Sequence, residues 1–214
     1  MKRGFVIIIS LIIFNSCSNN DKKTGTGADT VKPVRTNIMT TEKKKPETTT
    51  TTEKPAIINI FDTLAPKRIV LYMKDSAKTF ERISLKLGII YGVKLAEVLK
   101  KNGLKMAGAP MAWYKSQKAP YFFEAGVPVI KKPAKLPANV FVRETNADSV
   151  TMAHFYGPYN LLGQGYDAIK ERLKDEGRAI STAPYEIYID DPVDKKGKPV
   201  DPYKIRTDII FPRH

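Results

Sequence analysis

The sequence predicts an α+β fold made of a duplicated β-α-β-β unit, with two helices on one antiparallel sheet and a central ligand cleft. Three observations carry that expectation. The segment Asn102–Tyr114 is echoed by Glu176–Tyr188 at a constant offset of 74, which superposes Gly103 on Gly177, Ala109 on Ala183, Pro110 on Pro184 and Tyr114 on Tyr188. Upstream of each glycine, apolar residues recur at helical spacing, with Leu95 equivalent to Ile169 and Leu99 to Leu173. Downstream of each Ala–Pro pair lies a short run of aromatic and apolar residues bounded by turn formers, as a strand requires.

The elements follow in chain order. Lys2 and Arg3 precede an apolar stretch from Phe5 to Phe14, broken only by Ser10, and Asn15, Ser16 and Cys17 follow. A run of about ten residues is too short to span a bilayer and suits the core of an export signal. Cys17, the one cysteine of the chain, directly after that run resembles the lipobox of bacterial lipoproteins. Residues 1–17 are therefore expected to be a lipoprotein signal with Cys17 as the lipidation site. The resemblance implies a lipid-anchored protein of the cell envelope, with Ser18 favouring the outer membrane. Residues 18–56 are rich in Thr, Lys and Pro, with threonine at every position from Thr48 to Thr52. So few large apolar side chains cannot offset the entropy of ordering, and the segment reads as a disordered linker.

Residues 57–214 hold the repeat. The first half is expected to contain a strand over Ile69–Lys74, a helix over Phe80–Asn102 ended by Gly103, and strands over Met111–Lys115 and Tyr121–Val129. Ile83, Leu87, Ile90, Leu95 and Leu99 form the buried stripe of that helix. The second half repeats the order with Ser149–Tyr156, a helix over Tyr159–Glu176 ended by Gly177, and strands over Tyr185–Asp190 and Ile205–Phe211. Its helical stripe is Leu162, Tyr166, Ile169 and Leu173. Val140–Glu144 is read as an extension of the first strand of this half. Both glycines serve as C-terminal caps, where a left-handed residue closes the last turn.

Period-two alternation then assigns faces. In Tyr185–Asp190 the residues Tyr185, Ile187 and Ile189 share one side, and Glu186, Tyr188 and Asp190 the other. The isoleucines are expected to face the helices, which leaves Glu186 and Tyr188 on the open face. The repeat places Ala112 and Tyr114 at the equivalent positions, so two tyrosines and a carboxylate line one groove, with Ala112 leaving room opposite Glu186. In Tyr121–Val129 the same parity groups Phe122, Glu124 and Gly126 and adds a second carboxylate. Tyr159, at the strand-to-helix turn Gly157–Pro158–Tyr159, borders the cleft. Trp113 is read as core and His154 as a sheet histidine. A concave aromatic site with a few polar groups is the usual form of a small-molecule pocket.

Ala183–Tyr188, Ala153–Tyr159, Phe123–Val129 and Arg206–Pro212 together resemble the GyrI-like small-molecule-binding domain. That domain is also the effector-binding part of AraC-type and MerR-type regulators, and SOUL domains are its distant relatives. The resemblance implies a cleft for amphipathic, often cationic or aromatic molecules, with Glu186 as its central acid and Glu124 as a second. It leaves three function classes: a membrane-anchored small-molecule-binding protein, a hydrolase of reactive electrophiles using Glu124 and Glu186, and a non-catalytic envelope interaction protein. The formal charge of the whole chain is +14, and residues 57–214 retain about +9. Their lysines are scattered rather than gathered in a recognition stripe, so nucleic acid is not an expected partner. One cysteine and two histidines supply no metal cluster, and no cofactor is expected.

Overall fold

The computed structural model describes residues 54–214 apart from Gln117. Cys17, the signal segment and the linker up to Glu53 lie outside the described residues. The chain runs through β1 (Ile57–Ala65), β2 (Arg68–Ala77), α1 (Phe80–Ile89), a π-helical turn at Ile90–Leu95, α2 (Ala96–Lys101), β3 (Met111–Tyr114) and β4 (Tyr121–Val129). It continues with β5 (Phe141–Thr145), β6 (Asp148–Tyr156), a 3-10 turn at Tyr159–Leu161, α3 (Leu162–Asp175), β7 (Tyr185–Tyr188) and β8 (Arg206–Pro212). The eight strands form one sheet in the order β1-β6-β8-β7-β3-β4-β2-β5, and every neighbouring pair is antiparallel.

That order reads the same from either end when the halves are exchanged, so the sheet has a pseudo-twofold axis between β3 and β7. The pairing of Ala112 with Glu186 puts two repeat-equivalent residues face to face on that axis. Both helices end as the repeat requires. Gly103 and Gly177 hold φ values of 59° and 63°. Leu104 N–H donates to the Leu99 carbonyl and Arg178 N–H to the Leu173 carbonyl, the closing bond of a Schellman motif in each copy.

Two parts of the expected topology are corrected. Val140–Glu144 does not extend the first strand of the second half. The chain turns at residues 146–147, and β5 lies along β2 of the first half, with Arg143 opposite Val70. β1, which the sequence reading left in no element, pairs over its whole length with β6. Its residues alternate between exposed and half-buried, and Leu64 is 75% exposed. Ile58 and Ile60 pack only partly against the core beneath α3, and pairing with β6 along the whole strand completes its anchoring, so periodicity carries little signal. Each half thus lends its first strand to the edge of the other.

The two-residue links between β1 and β2 and between β5 and β6 join strands from opposite ends of the sheet order. Three Cα steps reach at most about 11 Å, so the sheet must curl until its ends approach each other. Both faces are consequently buried. On the outer face, α1, the π turn and α2 cover Leu71, Met73, Phe123, Ala125 and Val127, while α3 covers Ala153, Phe155, Ile209 and Phe211. On the inner face Val70, Met111, Trp113, Val150, Tyr185, Ile187 and Ile210 cover one another, without a helix. The expected single regular helix over Phe80–Asn102 is interrupted by its π turn, whose wider loop resets the direction of the residues it carries.

Candidate functional site

Glu186 sits in the middle of β7, on the pseudo-twofold axis, and is only 3% exposed. Its face is the opposite of the expected one. The hydroxyl of Tyr166, which rises from α3, donates to Glu186 Oε1 at 2.9 Å, so the acid points toward the helices. Tyr185 and Ile187 pack on the inner face instead. Alternation correctly separated the two sets but could not orient them, because apolar residues are buried on both sides of a curled sheet.

Between α2 and α3 the outer face carries a cluster of phenols. Tyr188, two residues along the same strand, donates its hydroxyl to Glu186 Oε2 at 2.7 Å. Tyr114, its equivalent in the first repeat, meets it across the axis with hydroxyls 2.9 Å apart. Since Tyr188 spends its proton on the carboxylate, Tyr114 is the donor in that pair. Tyr91, on the π turn, donates to the Met111 carbonyl at 2.8 Å and places its ring 6.2 Å from that of Tyr188. Tyr159 packs edge-on against Tyr188 at 6.3 Å between ring centres. Sequence alone brought together Glu186, Tyr188, Tyr114 and Tyr159. It missed Tyr91 and took Tyr166 for packing. A tyrosine on a buried helical stripe needs an acceptor for its hydroxyl, and a buried acid needs donors; matching those two needs was the available signal for Tyr166.

No lysine or arginine pairs with Glu186 among the described residues. Burial pushes its carboxyl up from the ordinary 4.5 to about 7, against the smaller opposing pull of hydrogen bonds from Tyr188 and Tyr166. The phenols respond in kind. Burial, reinforced by the Glu186 charge, holds the hydroxyls of Tyr91, Tyr114 and Tyr188 protonated well above their usual range. Tyr159 is pushed up to about 12 by burial first and by Glu186 second. Around neutral pH the cluster therefore holds one carboxyl close to its titration point within a shell of neutral phenols.

A cavity of about 380 Å³ opens beside this shell. Tyr91, Gly92, Ala96 and Leu99 line it from the helix, Met106, Ala109 and Pro110 from the loop before β3, and Tyr188 from β7. Tyr188 thus faces the cavity and hydrogen-bonds the acid behind it.

Glu124 and Phe122 do not join this group. Register pairs Glu124 with Trp113 and with Lys74, placing it on the inner face. There it forms an ion pair with Arg143, with Lys115 and Lys74 amines at 3.7 and 3.8 Å. The Arg143 guanidinium stacks over Trp113 at 4.5 Å and over Tyr72 at 4.7 Å. Phe122 is 51% exposed on the same side. The expected grouping of both glutamates in one cleft fails because residue parity in β4 is opposite in sense to that in β7: Phe123 and Ala125, not Phe122 and Glu124, face the helices. His154 is also on the inner face, 2.9 Å from Asp208 and stacked on Phe61.

The sequence matches no protein-family model and no curated protein. Solved structures do share the fold. The C-terminal domain of EcmrR superposes with a TM-score of 0.60 and 21% identity over 74% of this chain and 98% of that domain. EcmrR in its complex with DNA gives a TM-score of 0.62 and 21% identity over 73% of this chain. This chain spans 57% of the length of the EcmrR chain in that complex. The antiparallel α+β architecture described above is thus shared with the C-terminal domain of EcmrR.

Proposed function

We propose that residues 57–214 bind an amphipathic organic cation in the cavity beside Tyr188, with Glu186 as its counter-ion. The observation that carries this reading is a buried carboxylate supplied with phenol donors but, among the described residues, with no cation of its own, next to a largely apolar void. Ionising such an acid is costly, and a cationic guest entering the phenol shell offsets that cost. Its arrival lowers the Glu186 pKa, so binding expels a proton from the fraction of molecules still protonated. The faces of Tyr91, Tyr159 and Tyr188 attract the same charge, while Leu99, Met106 and Pro110 accept an apolar body. Hydrolysis through a pair of glutamates finds no support in this geometry, because the sheet lies between Glu124 and Glu186 and one water cannot meet both.

Titration calorimetry with dodecyltrimethylammonium below its micellar concentration tests the assignment. Affinity is expected to climb as pH rises through about 7 and then level. Glu186→Gln is expected to weaken binding by roughly a hundredfold and to abolish the pH dependence. Equal affinity in wild type and Glu186→Gln would refute the counter-ion role.

We further propose that the domain is held at the cell envelope by lipid on Cys17, a reading supported by the sequence pattern of residues 1–17 alone. Incorporation of a labelled fatty acid by wild type but not by Cys17→Ser is the expected result, and equal labelling of both overturns it.

A further inference from the structure

We infer that the preferred ligand of the cavity carries two cationic centres, one for Glu186 and one for Asp191 at the mouth. This rests on the Glu186 reading above and extends it to the class of ligand. The cavity is bipolar. At its inner end Tyr188 leads to Glu186, and its walls are apolar through Ala96, Leu99, Met106 and Pro110. Asp191 is, among the described residues, the one charged side chain lining it, and no lysine or arginine does so. Among the described residues Asp191 forms no ion pair, whereas the neighbouring Asp190 uses its carboxylate to accept the Arg206 backbone N–H at 3.0 Å.

Partial burial and the neighbouring Asp190 both raise the Asp191 pKa, as expected of an acid whose charge is under-compensated. Tyr159 feels the charges of Glu186, Asp191 and Asp190 together, so these acids act on one space. Asp191 lies five residues after Glu186, a reach of at most about 18 Å along the chain. An apolar spacer with a cationic group at each end matches the sequence of surfaces: acid behind phenols, apolar wall, acid at the rim. A monocation leaves the outer carboxylate without a partner, and a zwitterion with an outer anion is repelled by it.

The test is a matched pair of probes, an α,ω-bis(trimethylammonium)alkane with a chain of about ten methylenes and the alkyltrimethylammonium of equal length. They are measured calorimetrically at low ionic strength and about pH 8, where Glu186 is largely ionised. Wild type is expected to prefer the dication by about fivefold, a preference that shrinks with added salt. Asp191→Asn is expected to bring the ratio close to unity, and Asp191→Lys to reverse it. Both Asp191 variants change one exposed side chain and leave the core untouched. Glu186→Gln is expected to weaken both probes. A wild-type ratio near one, or a ratio unmoved by either Asp191 variant, overturns the two-cation assignment while leaving Glu186 standing. Failure of Glu186→Gln to weaken either probe removes the underlying reading itself.

Discussion

Two glutamates at almost the same burial, Glu186 at 3% exposure and Glu124 at 6%, lie on opposite faces of one sheet and have been given opposite electrostatic surroundings. Glu124 is met by Arg143 and approached by two lysines, and the guanidinium that neutralises it is itself held between two aromatic rings. Among the described residues Glu186 is met by phenols and by no cation, and its carboxyl stays close to half-protonated near neutral pH. Burial by itself does not mark a functional acid. The informative difference is whether the fold supplies a counter-charge, because a paired acid has spent its charge on structure and an unpaired one retains it for a guest.

The pH dependence of stability is the sharpest way to test that contrast. Burial lifts the folded Glu186 carboxyl from its ordinary 4.5 to about 7, so the folded state holds a proton that the unfolded chain releases first. Its contribution is fully present below about pH 4.5 and is lost as pH rises to about 7. Urea denaturation of wild type should therefore lose about 3 kcal/mol across that window through this group, and Glu186→Gln should remove that loss. An identical pH slope in both proteins would contradict the environment assigned to Glu186.

Next in size is the opposite face. Arg143→Ala leaves Glu124 with only its two distant lysines and should lower stability by about 2 kcal/mol, given that the pair is partly open to solvent. Adding Glu124→Gln in that background should restore part of the loss, and the cycle measures the coupling. Cation binding at the outer face should not follow either change. Smallest is Tyr114→Phe, which removes the hydroxyl bonded to Tyr188 at 2.9 Å. A loss of about 1 kcal/mol in thermal or urea unfolding is expected, with a slight weakening of cation affinity as Tyr188 loses its partner. No measurable change in either would show that the phenol pair contributes nothing.

Much of this arrangement was legible in advance because it is local or repeated. The 74-residue offset identified Gly103 and Gly177 as caps, aligned Tyr114 with Tyr188, and set Ala112 opposite Glu186, where the sheet register puts it. The core strands β3, β4, β6, β7 and β8 fell close to their observed spans, since each carries a dense apolar or aromatic run. β1 escaped because its alternation is weak and its partner strand is distant in sequence, Phe61 at its centre lying opposite Met152, 91 residues on. The π turn left one local mark, a step of five residues from Ile90 to Leu95 across Gly92 where the rest of the stripe steps by three or four, but a single such step inside a long apolar stripe reads as ordinary helix.

What the amino-acid order determined by itself was the twofold plan: which segments are equivalent, where each helix stops, and which side chains share a strand face. Those are consequences of backbone geometry and spacing over a few residues. Only the folded chain decided which face looks toward the helices, because a sheet curled by its two-residue links buries apolar side chains on both sides and leaves alternation without a direction. The same curl and the crossing of β5 onto β2 delivered Arg143 to Glu124 and left Glu186 among phenols. Charge pairing over such separations depends on where strands meet in space, and no local pattern encodes it.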